Sequence, residues 1–365
     1  MSTPAAAGTR NYAARFSGRA AEGHFRIAHD RAFSSVGIGT YLGNPDARTD
    51  AAYTQAVAEA VRSGINVMDS AINYRFQRSE RSIGTALRLL AAEGIPREEL
   101  VICTKGGFLT PDGDSPADPR AYFEQEYFSK GVMKREEVVG RMHCMTPGYL
   151  ANQLERSLRN LGVECIDVYY IHNPETQFMA VSREEFRMRV RAAFEFLESA
   201  VASARIRWYG MATWNAFRQP ENAQDYISLE QMLNVAKSIA GEEHHFRFVQ
   251  LPFNLAMPEA LTLPNQSCAG HRVPMNRAAM ELDITLVGSA SLMQGSLASG
   301  LPDFVGDVLG FKSDLHRALQ FARSAPGITT ALVGMSRPEH VRQNGEITGT
   351  PPTPLDQFLR LFAQR

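Results

Sequence analysis

The sequence predicts an α/β protein in which eight βα units close into a (β/α)8 TIM barrel. Three observations lead there. Eight short, β-rich apolar runs recur along the 365 residues, and helical periodicity separates them. The runs are almost continuously apolar, as parallel strands covered on both sides must be. Eight units in a chain of 365 residues average about 45 residues each, which suits a barrel carrying insertions. The competing doubly wound sheet usually places a Gly-rich fingerprint at the start of the first helix. Here Gly37–Gly43 reads GIGTYLG and runs into Asn44-Pro45, which is not that pattern.

In chain order the strands are expected at Ser35–Gly39, Ile65–Asp69, Leu100–Lys105, Ile166–His172, Ile206–Thr213, Phe248–Phe253, Ile284–Ser289 and Thr330–Gly334. Ala52–Ser63 reads as the first helix, with Gly64 as its C-cap. Ser79–Leu90 follows the second strand, with Ser79 in position to cap it. Thr146–Leu161 opens on Thr146-Pro147, a cap followed by proline at the first helical position, and Gly162 ends it. Arg183–Ala202, Leu229–Ala240, Asn276–Glu281, Ser313–Arg323 and Pro338–Asn344 complete the series. Residues 1–30 are expected to be an N-terminal extension, partly flexible, and 31–365 a single barrel domain with an insertion over 106–145. That insertion, Gly106–Met145, leaves the third strand and would lie over the barrel mouth as a lid, with a short helix near Ala121–Lys130. The tail Pro354–Ala363 reads as a final helix outside the barrel.

Acidic residues number 39 and basic ones 38, a net charge of −1, which argues against nucleic-acid binding. No apolar run approaches the ~20 residues needed to span a bilayer, so no membrane association is expected. Cys103, Cys144, Cys165 and Cys268 are scattered without a CxxC pair, the pattern of a reducing compartment. Arg10, Arg15 and Arg19 precede any acidic residue, a faint likeness to an organelle transit segment. An ordinary N-terminus explains them more simply, and the expected location is cytoplasmic.

Polar residues close three successive strands. Asp69 ends the second, Lys105 the third and His172 the fourth, and Tyr74 follows Asp69 by five residues. Each has an ordinary structural explanation alone. In a barrel these strand ends converge on one mouth, so together they form an acid–base unit. A free phenol with pKa ~10 is a poor acid at pH 7. A nearby ammonium is expected to lower that value by roughly 1–3 units. A carboxylate keeps the ammonium charged and in place, and an imidazole adds a hydrogen bond to a substrate oxygen. Such a unit protonates a carbonyl while hydride reaches its carbon. No side chain donates hydride, so a nicotinamide cofactor is implied.

On these residues the sequence resembles the aldo-keto reductase superfamily, from about Ser35 to Asn344. The resemblance rests on D-x-A-x-x-Y at Asp69–Tyr74, on Lys105 in TKGG, on His172 in YIHNP, and on IRWYGMATW, FVQLPFN and ALVGMSRPEHVRQN in the same order. It implies a (β/α)8 barrel, NADP with NADPH favoured over NADH, a small carbonyl or alcohol substrate (aldehyde, ketone or sugar-like), and no metal. By position, Tyr74 is the general acid or base and Lys105 tunes it. Asp69 pairs with Lys105 and also approaches the nicotinamide ribose. His172 orients the carbonyl. Thr40, Tyr41, Thr213 and Gln250 join the cofactor set, although the family's Ser-Asn pair is Ala212-Thr213 here. Ser289 stands where an aromatic often stacks on the nicotinamide. Ser291, Leu292, Gln294 and Gly295 lie in the segment that resembles the pyrophosphate loop. Gly334, Ser336, Arg337, Gln343 and Asn344 match the adenosine site, with Ser336 and Arg337 suited to a 2′-phosphate; the alternative is that Ser336 merely caps the following helix. Tyr41, Phe76, Phe108, Trp214 and Phe253 are candidates for an apolar substrate wall. Two other functions fit the resemblance: a nucleotide-binding regulatory or interaction subunit, and a redox-neutral epimerase that retains its cofactor. The sequence assigns neither a natural substrate nor an oligomeric state.

Overall fold

A computed structural model describes residues 4–363. Two short antiparallel hairpins, β1 (Phe25–Ala28) with β2 (Arg31–Ser34) and β9 (Gln266–Cys268) with β10 (His271–Val273), stand apart from the main sheet. The main sheet is a closed ring of eight parallel strands: β3 (Val36–Gly39), β4 (Val67–Asp69), β5 (Val101–Gly106), β6 (Ile166–His172), β7 (Ile206–Ala212), β8 (Phe246–Pro252), β11 (Thr285–Ser289) and β12 (Ile328–Gly334). β12 pairs with β3, which closes the barrel. Each of the eight expected strands coincides with one of these within two residues at either end.

Side chains on a strand alternate between faces, so every second residue enters the ring. Val67, Val101, Cys103, Val168, Tyr170, Phe248, Val287 and Leu332 form one apolar cluster of their own. The residues between them, among them Met68, Ile102, Tyr169, Ile171, Val249, Leu286 and Val333, belong to the outer layer packed on the helices. Continuing the inward alternation by one more step along the strands gives Asp69, Lys105, His172, Gln250, Ser289 and Gly334. The polar rim is therefore the last inward layer of an otherwise apolar barrel.

The opposite end is sealed by the hairpin β1–β2. Its turn, His29-Asp30, has φ of 45° and 65°, the left-handed pair that a two-residue hairpin turn needs. Phe33 of β2 enters the barrel floor with its ring 5.8 Å from Phe248. The extension expected over residues 1–30 carries, from Pro4 on, the helix Pro4–Arg15 and then β1. Tyr12 on that helix is buried and donates its hydroxyl to the Val61 carbonyl.

Seven of the expected helices appear within one or two residues of their predicted ends, and the first, Ala47–Arg62, begins earlier because Asp46 caps it through the Thr49 amide. Ser79 is not a cap. The helix Arg78–Ala92 begins after Gln77, and the Ser79 hydroxyl donates to the Thr40 carbonyl. Gly162 ends its helix in the left-handed conformation at φ 66°. In the 106–145 connection the short helix is Pro119–Phe123, extended by a wider turn over Glu124–Phe128. The connection has a small core of Tyr127, Met133, Cys144 and Tyr149. Gln77 holds it through the Pro111 carbonyl, and Arg81 through Asp112. No described helix is long and apolar enough to cross a membrane.

Asp167, fully buried at the floor, gathers Arg31 at 2.7 Å, Arg97 at 2.6 Å, Arg207 at 3.1 Å and the Ile102 amide at 2.8 Å. Burial pushes its pKa up, but the three guanidinium groups and the amide outweigh burial and hold it below the usual value. The stabilisation is then complete above the unfolded pKa of about 4 and fades as pH falls through the lower folded value. Asp167→Ala leaves buried guanidinium uncompensated and is expected to cost about 3–5 kcal/mol in denaturant melts at neutral pH. The variant should also lose less stability on acidification than the wild type.

Candidate active site

The rim layer becomes a site because its polar groups satisfy one another. The Lys105 ammonium donates to Asp69 Oδ1 at 2.5 Å and to the Ser70 carbonyl at 2.7 Å. The second Asp69 oxygen accepts from Gln250 Nε2 at 2.7 Å. One carboxylate thus ties β4, β5 and β8 together across the mouth. Thr40, the residue after β3, supports it: its hydroxyl donates to the Asp69 carbonyl at 3.1 Å, and Ser70 Oγ lies 3.0 Å from the same oxygen.

Tyr74 reaches this pair by a tight path. After β4 the Ile72 amide donates to the Lys105 carbonyl at 3.2 Å, and the Tyr74 amide donates to the Ala71 carbonyl at 3.0 Å. Arg75, Phe76 and Gln77 then follow in the left-handed region, at φ of 50°, 55° and 72°. Such backbone costs non-glycine residues on the order of 1 kcal/mol each and persists only where the surroundings over-determine it. Here Arg75 grips the Asn44 carbonyl at 2.9 Å and the Asp50 carboxylate. The result sets the Lys105 nitrogen 5.1 Å from the Tyr74 ring centre. The Tyr74 ring lies 5.8 Å from His172 and 4.9 Å from Tyr41, and Phe108 stands edge-on to His172 at 4.9 Å.

The protonation states follow from burial and charge. Burial pulls the Lys105 pKa down, but the Asp69 carboxylate outweighs it and holds the ammonium pKa above the ordinary value. The Tyr74 phenol departs from the sequence expectation. Burial raises its pKa, Asp69 adds to that, and the opposing Lys105 charge does not win. The expected lowering is therefore reversed, chiefly because burial of the phenol outweighs the attraction of Lys105, with Asp69 adding a smaller opposing push. Burial, with Lys105 and His143, keeps the His172 pKa well below the ordinary value, so the imidazole is neutral at pH 7. The site holds a protonated phenol, an ammonium and a neutral imidazole.

The expected cofactor residues lie along a trail from this site. Thr213 follows β7, and its amide donates to the Gln250 carbonyl at 2.9 Å. Ser289 closes β11. Ala290, Met293, Gln294 and Gly295 then take left-handed φ of 54°, 48°, 56° and 94°. Runs of this kind turn successive amides toward one side and suit an anion. Leu292 packs on the core beneath that turn. Gly334 ends β12 exposed, and Arg337 begins the next helix with no side chain capping it, so Ser336 is not consumed as a cap. The Arg337 guanidinium is exposed and meets His340 at 3.1 Å. Gln343 contributes its carbonyl to His316 at 2.7 Å, which leaves its side chain outward. The buried Thr213 Oγ1, Ser291 Oγ and Asn344 Oδ1 have no hydrogen-bond partner among the described residues. Buried polar atoms are normally paired, so these three fit a polar molecule laid along the rim.

Comparison with known proteins identifies the family. Residues 35–299, more than half of the chain, match the model described as the Aldo/keto reductase family. The chain belongs to the aldo/keto reductase family. It is 29% identical over 196 residues to a 6-dehydroglucose reductase of Novosphingobium aromaticivorans, a match spanning 53% of this chain and 50% of that protein. It is 23% identical over 304 residues to a D-threo-aldose 1-dehydrogenase of Pseudomonas sp, covering 80% of this chain and 82% of that one. The chain thus matches only about half the length of the first relative. Its fold is also that of an aldo/keto reductase of Klebsiella pneumoniae solved with NADP and acetate, at a TM-score of 0.61 and 18% identity over 94% of this chain and 98% of the other.

One candidate for the substrate wall of this aldo/keto reductase lies elsewhere. Phe253 is not part of a substrate wall, because its ring is buried and stacked on Phe321 at 5.3 Å in the helix layer. Residues without a motif also support the site. Glu175, three places after His172, accepts from the Trp214 and Asn215 amides at 2.6 and 3.2 Å and so fixes the loop that carries Thr213. His143 and Gln177 do the same for His172. No local pattern marks these, since their partners are distant in sequence.

Burial pushes the Glu175 carboxyl up to about 7 against the pull of the two amides. The folded state therefore holds this proton more tightly than the unfolded chain. Stability should fall as pH rises from the unfolded value of about 4.3 to about 7, by on the order of 3 kcal/mol. Glu175→Gln should flatten that slope in denaturant melts compared at about pH 5 and pH 8.

Proposed function

We propose that this protein is an NADPH-dependent carbonyl reductase, or the reverse alcohol dehydrogenase, acting on aldehydes, ketones or sugar-like substrates. The observation that carries the reading is the buried Lys105–Asp69 pair at 2.5 Å beneath the Tyr74 ring, with neutral His172 alongside.

Tyr74 holds the proton that passes to the carbonyl oxygen. Its phenol is protonated at neutral pH, so the acid is already loaded. As the proton leaves, charge develops on the phenolate, and the Lys105 ammonium beside it is stabilising in a site that burial keeps at low dielectric. Asp69 and the Ser70 carbonyl fix the ammonium in one position. His172, uncharged, donates a hydrogen bond to the same substrate oxygen and sets its angle to Tyr74. A bound reduced nicotinamide supplies the hydride. Thr213 and Gln250 would hold its carboxamide end, the 291–295 turn its pyrophosphate, and Ser336, Arg337 and Asn344 its adenosine end. Arg337, at a helix start without a side-chain cap and without a carboxylate partner among the described residues, suits a 2′-phosphate and carries the preference for NADPH over NADH.

The test is NADPH consumption across a panel of carbonyls. Tyr74→Phe should lower kcat by about 100-fold or more while leaving NADPH binding in place, since positioned acid catalysis is worth about 10²–10⁴. Equal turnover in both would remove Tyr74 as the acid. Arg337→Ala should weaken NADPH binding by about tenfold or more and leave NADH binding unchanged, the loss expected for a charged hydrogen bond. Equal losses for the two nucleotides would remove Arg337 as the selector.

A further inference from the structure

His172 ends β6, and its carbonyl oxygen is not taken up by the strand ladder there. Asn173 turns away at once in the left-handed region, at φ 44°. The oxygen is met instead from the long connection: His143 Nε2 lies 2.7 Å from it. On the far side of the His143 ring, Gln177 Nε2 lies 2.8 Å from Nδ1. Gln177 Oε1 in turn accepts from Arg189 Nη1 at 2.6 Å, and Arg189 Nε donates to Glu185 at 2.9 Å.

The polarity of this chain is fixed at both ends. A carbonyl only accepts, so His143 Nε2 must carry the ring proton, and Nδ1 must accept. A guanidinium only donates, so the Gln177 oxygen faces Arg189 and its NH2 faces His143. Every member has one orientation and one tautomer. The neutral ring this requires agrees with burial, which lowers the His143 pKa to about 4.

The packing around the contact serves it as well. Phe108 is edge-on to both rings, 5.2 Å from His143 and 4.9 Å from His172. Gly107 passes between them at φ 143°, where a Cβ would stand 2.8 Å from His143 Nε2 and 3.0 Å from the His172 oxygen. Only glycine lets the connection leave β5 and return this closely. His172 needs such support because its own Nδ1 is buried with no partner among the described residues. Its ring is oriented through its backbone and Phe108 rather than through a hydrogen bond of its own.

We propose that His143, backed by Gln177 and Arg189, is a positioning residue that sets the His172 imidazole against Tyr74, which makes the 106–145 connection a working part of the active site. The inference rests on the carbonyl-reductase reading for its consequence in turnover and on the structure alone for the coupling between the two histidines.

Variants of the full chain, loaded with NADPH, test it. His143→Phe keeps the ring and removes both hydrogen bonds; Gln177→Leu removes only the support; His143→Gln keeps a donor at the position of Nε2. His143→Phe and Gln177→Leu should each lower kcat by about 10- to 100-fold, the scale of small misplacements, with NADPH affinity held within about twofold. The double variant should be no worse than His143→Phe alone, and His143→Gln should recover most of the loss. Wild-type kcat in His143→Phe, additive losses in the double variant, or losses of kcat matched by losses of NADPH affinity would each overturn the proposal. A readout without turnover separates it from the functional reading. The ring nitrogen resonances of His172, assigned by their absence in His172→Gln, should shift in His143→Phe and in Gln177→Leu. If no carbonyl is reduced yet these resonances shift, the functional reading fails and the coupling stands. If they do not move, the coupling fails whatever the activity.

Discussion

A lysine and an aspartate buried together inside a ring of strands constrain everything around them. Either charge alone in that position would be lost to burial, by releasing or taking up a proton. Together they persist only because the remaining hydrogen-bonding capacity is met: the Ser70 carbonyl on one side, Gln250 on the other. That requirement draws β4, β5 and β8 to one register at the mouth. It also leaves the cation one open direction, toward Tyr74. Replacing such a pair with apolar residues is often neutral or favourable for stability, so its presence is better explained by what the ammonium does to its neighbour than by what it does for the fold.

The same pair also bears on why the phenol is not made acidic in the resting protein. Burial of the phenol is the larger effect, and the carboxylate that holds the cation opposes part of its pull on the ring. The simple expectation from sequence counted the attraction of Lys105 and left out the carboxylate that shares it and the burial that opposes it. In the proposed reaction, what the ammonium would offer is stabilisation of the phenolate once charge develops there, a preference for the transition state over the resting state. A phenol that is protonated at rest and stabilised only when it reacts is a better acid for a carbonyl than one already ionised.

The barrel and its polar rim were legible in the sequence for one reason. Parallel strands repeat with a period of two inside an apolar run, so a polar residue at the end of a run, such as Asp69, Lys105 or His172, has to be an inward position at the rim. Tyr74 could be added because it follows Asp69 by a short fixed distance. The supports were not legible. Glu175 works by accepting amides from a loop 39 residues away, and His143 works through the backbone of a residue 29 positions on. Neither leaves a periodicity, a cap or a spacing. Ser79 misled for a related reason: a serine ahead of a helix reads as a cap, but here the left-handed turn after Tyr74 supplies the helix start, and the hydroxyl is free to tie β3 instead.

That turn shows where the fold accepts cost. Three consecutive left-handed residues without a glycine are unfavourable in the isolated chain, and the site places them directly after Tyr74. Their stability comes from outside the turn, from Arg75 on Asp50 and from Gln77 on the 106–145 connection. The connection is therefore anchored on both sides of the mouth, by Gln77 next to Tyr74 and by His143 behind His172. The two side chains that would share a substrate oxygen are held by the same forty-residue excursion, one at each end of it. A loop bound in this way is better described as a second wall of the site than as a cover over it, because loosening it would move both groups that the chemistry needs.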